Sequence, residues 1–169
     1  MVPAPSHLIH LARRFFGALD PRGPSSESEA WALARLTAGE QGLWRRMSGP
    51  DRRHAVGVAA AVASVLGADA TRPVLAAALL HDVGKIDAGL GTLARVPATL
   101  LGLASRTRFV TGSGRVARYL RHDVIGGRML EDAGSDPITS AWAAEHHLPS
   151  DRWTLPRPIA DVLKAADGD

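Results

Sequence analysis

The chain contains no cysteine, which excludes a disulfide framework, a thiol nucleophile and a thiolate-bound metal. Aromatic residues make up 5% of its 169 residues. With alanine abundant, that scarcity points to close-packed helices rather than a β-sandwich. Strand-like alternation is missing, and so is any internal repeat of useful length. Long hydrophobic runs are absent too: the longest small-apolar stretch, 55–67, falls short of the about 20 residues that span a bilayer. The first twenty residues contain His7, His10, Arg13 and Arg14 without a continuous apolar core, so they do not read as a signal peptide, and a cytoplasmic protein is expected. Lysine occurs only at Lys85 and Lys164, leaving arginine to supply the basic side of the +3 net charge. Arginine suits bidentate contact with phosphate, although a solvated surface accounts for most such residues. No basic run is interleaved with aromatics, so no nucleic-acid groove is expected.

What is present is helical periodicity, and the expected class is all-α in one compact domain. Leu8, Leu11, Phe15 and Leu19 share one stripe of a helix over 6–19, and the turn material Asp20-Pro21-Arg22-Gly23-Pro24 follows. A second helix is expected over 26–36, with Ser26 and Glu29 as a capping box, then a short helical connection over 37–47. Ser48-Gly49-Pro50-Asp51 opens a third helix that runs to 66. On it Val58, Ala61, Val62 and Val65 fall within about 80° of His54. His54 therefore lies on the apolar stripe, where a lone histidine reads first as a core residue. Thr71 and Pro73 start a central helix, which Gly84 closes. Beyond it the pattern gives helices over 89–103, bent at Pro97, then 115–120, 122–133 closed by Gly134, 137–147, and 158–167 closed by Gly168. A glycine-bearing loop over 106–114 is the expected rim. Residues 1–50 read as an N-terminal helical extension packed on the same domain, which is formed by 51–169.

The central helix is apolar all round from Val74 to Leu80, the mark of a buried helix. His81 and Asp82 stand at its end, on either side of Ala78. An unpaired buried carboxylate costs several kcal/mol, and a bound cation would remove that cost; a hydrogen-bonded core histidine beside a helix-end aspartate is the plain alternative. Five of the seven histidines, His54, His81, His122, His146 and His147, fall at or near helix ends or on apolar stripes. Neutral imidazole and carboxylate suit divalent ions such as zinc, manganese and iron, and one carboxylate between two such sets can bridge two metals. On the last helix Asp167 lies about 70° from the centre of the apolar face, whereas Asp161 lies nearly opposite it. Asp167 is expected to border the core and Asp161 to face water.

These residues resemble a family. His54, then Leu79-Leu80-His81-Asp82-Val83-Gly84-Lys85, then Lys164-Ala165-Ala166-Asp167, are similar to the HD superfamily of metal-dependent phosphohydrolases, a helical bundle, with the resemblance running from Asp51 to the C-terminus. Arg121-His122-Asp123-Val124-Ile125-Gly126 and Glu145-His146-His147 are similar to its HD-GYP branch, which hydrolyses cyclic dinucleotides. By position, the resemblance implies a first metal on His54, His81, Asp82 and Asp167. Asp82 would bridge to a second metal completed by His122, His146 and His147, with Lys85 approaching the scissile phosphate; Lys85 reads equally as a salt-bridged residue. Leu148-Pro149-Ser150-Asp151-Arg152 stands where the branch carries Gly-Tyr-Pro. Pro50 stands where some members carry a glutamate, so two metals are expected and no third. The implied activity is hydrolysis of a phosphomonoester or phosphodiester. The cofactors would be two divalent ions (Fe, Mn, Zn, Ni or Mg) and the partner a small anionic phosphorylated substrate, with Arg115, Arg118, Arg121 and Arg128 available to recruit it. A diiron oxygenase and a non-catalytic nucleotide-binding module are the alternatives.

Overall fold

The structure, a computed structural model, describes residues 21–88 and 114–168. The helix expected over 6–19, the one over 89–103, most of the 106–114 loop, His7 and His10 lie outside the described residues. Among the described residues there is no strand. The order is α1 (Ser26–Leu33), α2 (Ala38–Arg46), α3 (Gly49–Leu66), a 3-10 turn (Gly67–Asp69), α4 (Arg72–Leu80), α5 (Lys85–Ala88), α6 (Arg115–Tyr119), α7 (His122–Asp132), α8 (Pro137–Glu145), a 3-10 turn (Ser150–Arg152) and α9 (Arg157–Asp167). No helix among them is long and apolar enough to cross a membrane.

α4 is the axis of the fold. Every residue from Val74 to Leu80 is buried, because α3 covers one flank and α8 another. α9 packs on α3, α7 on α8, and α5 on α6 and α7. The core they enclose includes Trp44, Val58, Val62, Leu79, Leu130, Trp142 and Leu163. On α3 the buried stripe is Ala55, Val58, Ala59 and Val62, rotated away from the expected one towards Ala55 and Ala59. Val65 is 69% exposed and Ala61 is exposed too, so His54 borders the core instead of lying within it.

Local chemistry accounts for most boundaries and corrects three. The cap of α1 is Ser25, whose side chain accepts from the amide of Ser28 at 3.2 Å; Ser26 is already helical. Glu29 does not cap. Its Oε1 accepts from the indole of Trp44 at 2.9 Å and from Arg52 at 2.7 Å, tying α1 to α2 and α3. Residues 38–46 form a full helix because Thr37 and Glu40 make a capping box: the Thr37 amide donates to Glu40 Oε2 at 2.7 Å and the Glu40 amide to Thr37 Oγ1 at 3.2 Å.

The third correction concerns Gly84. α4 ends at Leu80, and tight turns follow, with the amides of Val83 and Lys85 donating to Leu80 and Asp82 at 3.0 Å each. Gly67, Gly134 and Gly168 have positive φ, but Gly84 does not, so it is no left-handed cap. A Cβ there would lie 1.9 Å from the His122 carbonyl oxygen and 2.6 Å from the Gly126 amide nitrogen. Glycine stands at 84 because the backbone of the 81–85 turn crosses directly over the first turn of α7.

Candidate metal centre

Three of the histidines are presented by one local device. His81 and His146 are the C-cap residues of α4 and α8, and His122 opens α7 just past the end of α6. Carbonyls in the last turn of a helix lack the amide they would otherwise receive. In each case Nδ1 of the histidine meets the carbonyl three residues earlier: Ala78 at 2.9 Å, Tyr119 at 2.8 Å and Ala143 at 3.0 Å. A carbonyl only accepts, so Nδ1 carries the proton and Nε2 is turned inward. That arrangement is how ligating imidazoles are usually oriented.

The inward atoms converge on Asp82. Its Oδ2 is paired with Lys85 and lies 3.4 Å from His81 Nε2, while its Oδ1 lies 3.3 Å from His122 Nε2 and 4.0 Å from His146 Nε2. Asp167 Oδ1 lies 3.1 Å from His54 Nε2 and 3.4 Å from His81 Nε2. His147 Nε2 lies 3.2 Å from His122 Nε2. Two donor groups result: His54, His81 and Asp82 have ligand atoms within 4.8 Å of one another, and so do His122, His146 and His147. Asp167 joins the first group through His54 and His81. All seven residues singled out from the sequence therefore lie in one cluster, together with Lys85. Asp161 points outward and pairs with Arg157 at 2.9 Å.

The electrostatics show how this cluster balances charge. Burial pushes the His81 pKa down, yet Asp82 and Asp167 more than reverse this and raise it to about 10. The His81 imidazolium stands between the two carboxylates, 3.4 Å from each, distances long for hydrogen bonds. Burial would raise the Asp82 carboxyl, but Lys85 and His81 hold it well below the usual range. Burial likewise opposes the charge on Lys85, and Asp82 restores it, leaving a raised value. His146 behaves oppositely: burial, reinforced by His147 and His81, lowers it well below 6.5, so it is neutral. Its Nε2 is buried and without a hydrogen-bond partner.

A divalent cation fits this donor set. A neutral imidazole nitrogen with no partner, two buried carboxylates and further Nε2 atoms, with His54 half-buried and His147 on the exposed side, are nitrogen and oxygen donors of the kind preferred by zinc, manganese, iron or nickel. Sequence reasoning missed Tyr119, whose ring stacks on His122 at 5.7 Å and 24° between planes. The three-residue step from Tyr119 to His122, matching that from Ala78 to His81, is the signal that marks it. Three of the four arginines expected to recruit substrate have protein partners: Arg118 meets Asp87 at 3.3 Å, Arg115 the Ala88 carbonyl at 3.2 Å and Arg121 the Ala117 carbonyl at 3.3 Å.

No curated protein and no solved structure matches the chain significantly. The family model for the HD domain does match, over residues 52–168, a span that begins in the first turn of α3 and holds every residue of the cluster. With an all-helical core and a histidine-aspartate pair at the end of its buried axis, the chain belongs to the HD domain family.

Proposed function

We propose that this protein is a dinuclear metal-dependent phosphohydrolase that cleaves a nucleotide-like phosphomonoester or phosphodiester. The observation that carries the reading is the station of Asp82: one carboxylate oxygen faces His81, the other faces His122 and His146. His54, His81, Asp82 and Asp167 would hold one ion; Asp82, His122, His146 and His147 would hold the other. Bound divalent ions lower the pKa of water toward neutrality and polarise phosphoryl oxygens.

The side chains around them have separate tasks. Asp82 supplies one oxygen to each group and so fixes their separation. The i−3 carbonyls hold three imidazoles in the ligating orientation before any ion arrives, which reduces the reorganisation needed on binding. Lys85 stays charged beside Asp82 and offsets negative charge developing on the phosphoryl oxygens. His81, Asp82, His146 and Asp167 are buried, which strengthens the electrostatic interactions among them. The proposal includes the small anionic partner and the cytoplasmic setting expected from the sequence.

Metal analysis of protein purified without added ions, followed by a phosphoester panel with and without chelator, tests this reading. The expected result is two divalent ions per chain and ester hydrolysis that chelator abolishes, read as phosphate from a monoester or as a new phosphomonoester and alcohol from a diester. Asp82→Ala should lose both ions and the activity with them; retention of both by Asp82→Ala would refute the bridging role. Iron accompanied by oxygen consumption, with no monoester or diester hydrolysed, would replace hydrolysis by the oxygenase alternative.

A further inference from the structure

α8 is followed by two consecutive histidines, and the peptide joining them is gripped from another helix. Its last-turn carbonyls need donors, and two are satisfied within the turn: Ala143 by His146 Nδ1 at 3.0 Å and Glu145 by the Leu148 amide at 2.7 Å. The His146 carbonyl instead receives Lys164 Nζ at 2.9 Å, from α9. Lys164 is partly buried. It stands three residues before Asp167, a spacing that puts the two side chains on neighbouring positions of one helix face.

The His146 carbonyl belongs to the peptide plane that leads into His147. Rotating that plane swings the Cα–Cβ bond of His147, whose Nε2 must stay within reach of His122, now 3.2 Å away. An ammonium on this carbonyl also offsets the negative end of α8. Through one side chain, the helix that supplies Asp167 to the first donor group thereby sets the backbone of the second.

We propose that Lys164 is a positioning residue: by holding the carbonyl between His146 and His147 it fixes the reach of His147 and links the two donor groups mechanically. The metal part of this inference rests on the dinuclear reading above; the placement of His147 does not. The test uses Lys164→Met, which removes the donor and charge at similar volume, and Lys164→Arg, which restores both. In chelator-stripped protein, imidazole nitrogen NMR reads each histidine directly. Lys164→Met should shift His147 while leaving His54 and His81 in place, and Lys164→Arg should return His147 toward its original position. Titration with Mn2+ or Zn2+ should show the second ion weakened about 10–100-fold, the range seen when groups that orient ligands are lost, with the first ion unchanged. An unmoved His147 would overturn the proposal, and so would equal disturbance of all the histidines, the signature of a general packing role. Uptake of a single ion by the unsubstituted protein would defeat the dinuclear reading, with the NMR result still deciding the role of Lys164.

Discussion

Replacing Gly84 by alanine adds one methyl group where, of the described glycines, an added Cβ would meet the shortest contact. The new Cβ would sit 1.9 Å from the His122 carbonyl oxygen, whereas carbon and carbonyl oxygen ordinarily approach no closer than about 3.3 Å. The turn and the start of α7 must separate by about 1.4 Å to relieve the overlap, because the obstructing atom is backbone and has no rotamer to escape into. His122 moves with its carbonyl, and its Nε2 is 3.3 Å from Asp82 Oδ1, so a shift of this size is a large fraction of the working distance. Overpacking of this kind costs about 1–3 kcal/mol, or a fall in Tm of about 3–10 °C for a chain of this size. Misplacing a group by about 1 Å can cost about 100-fold in rate. Calorimetry with metal titration is the assay, and Gly57→Ala is the control. Gly57 is exposed on α3 with nothing within 4 Å of its would-be Cβ, so there alanine should stabilise by about 0.5–1 kcal/mol through helix propensity. The same chemical change should therefore act with opposite signs at the two positions. Gly84→Ala protein with unaltered Tm and full affinity for the second ion would refute the crossing.

Two further outcomes can be checked. Metal-free protein should be most stable near pH 6.5. His146 is held neutral, so below about pH 6.5 the unfolded chain gains a proton that the fold refuses, and stability falls with falling pH. Lowered Asp82 and Asp167 add to that fall only as the pH drops through the ordinary carboxylate range. His81, raised to about 10, contributes fully below about pH 6.5 and loses that contribution as pH climbs toward 10. Urea midpoints measured in chelator across this range should trace the maximum, and a flat profile would contradict the charge arrangement. Asp161→Ala, on the outer face of α9, should leave metal content unchanged and cost at most about 0.5 kcal/mol, since exposed i,i+4 pairs contribute little; loss of an ion on this substitution would show the wrong face had been assigned.

Helical periodicity carried much of the site. An apolar run with no polar interruption marked α4 as buried, which made His81 and Asp82 conspicuous, and a 100° step per residue separated Asp167 from Asp161 correctly. What periodicity does not hold is the identity of the neighbour. Gly84 carries a helix-closing signature, and only the proximity of His122 and Gly126, remote in sequence, shows that its bare Cα is needed for contact. Glu29 sits where a capping box would use it, yet its partners are Trp44 and Arg52 on two other helices. Val65 and His54 share a stripe by angle, but whether anything covers Val65 depends on a neighbouring helix that no local pattern announces. Lys164 stands in the stretch that ends at Asp167, yet nothing in the sequence marks its partner, because the acceptor is a main-chain carbonyl.

The three histidines that lean on a carbonyl of their own preceding turn divide the construction of the centre into two problems of different range. Aim is decided within four residues, by whichever helix end carries the imidazole, and is available as soon as that turn forms. Spacing is decided only when α4, α7 and α8 dock. A substitution that loosens docking should therefore yield three correctly pointed imidazoles at incorrect separations, their rings still turned inward while whole helix ends slide.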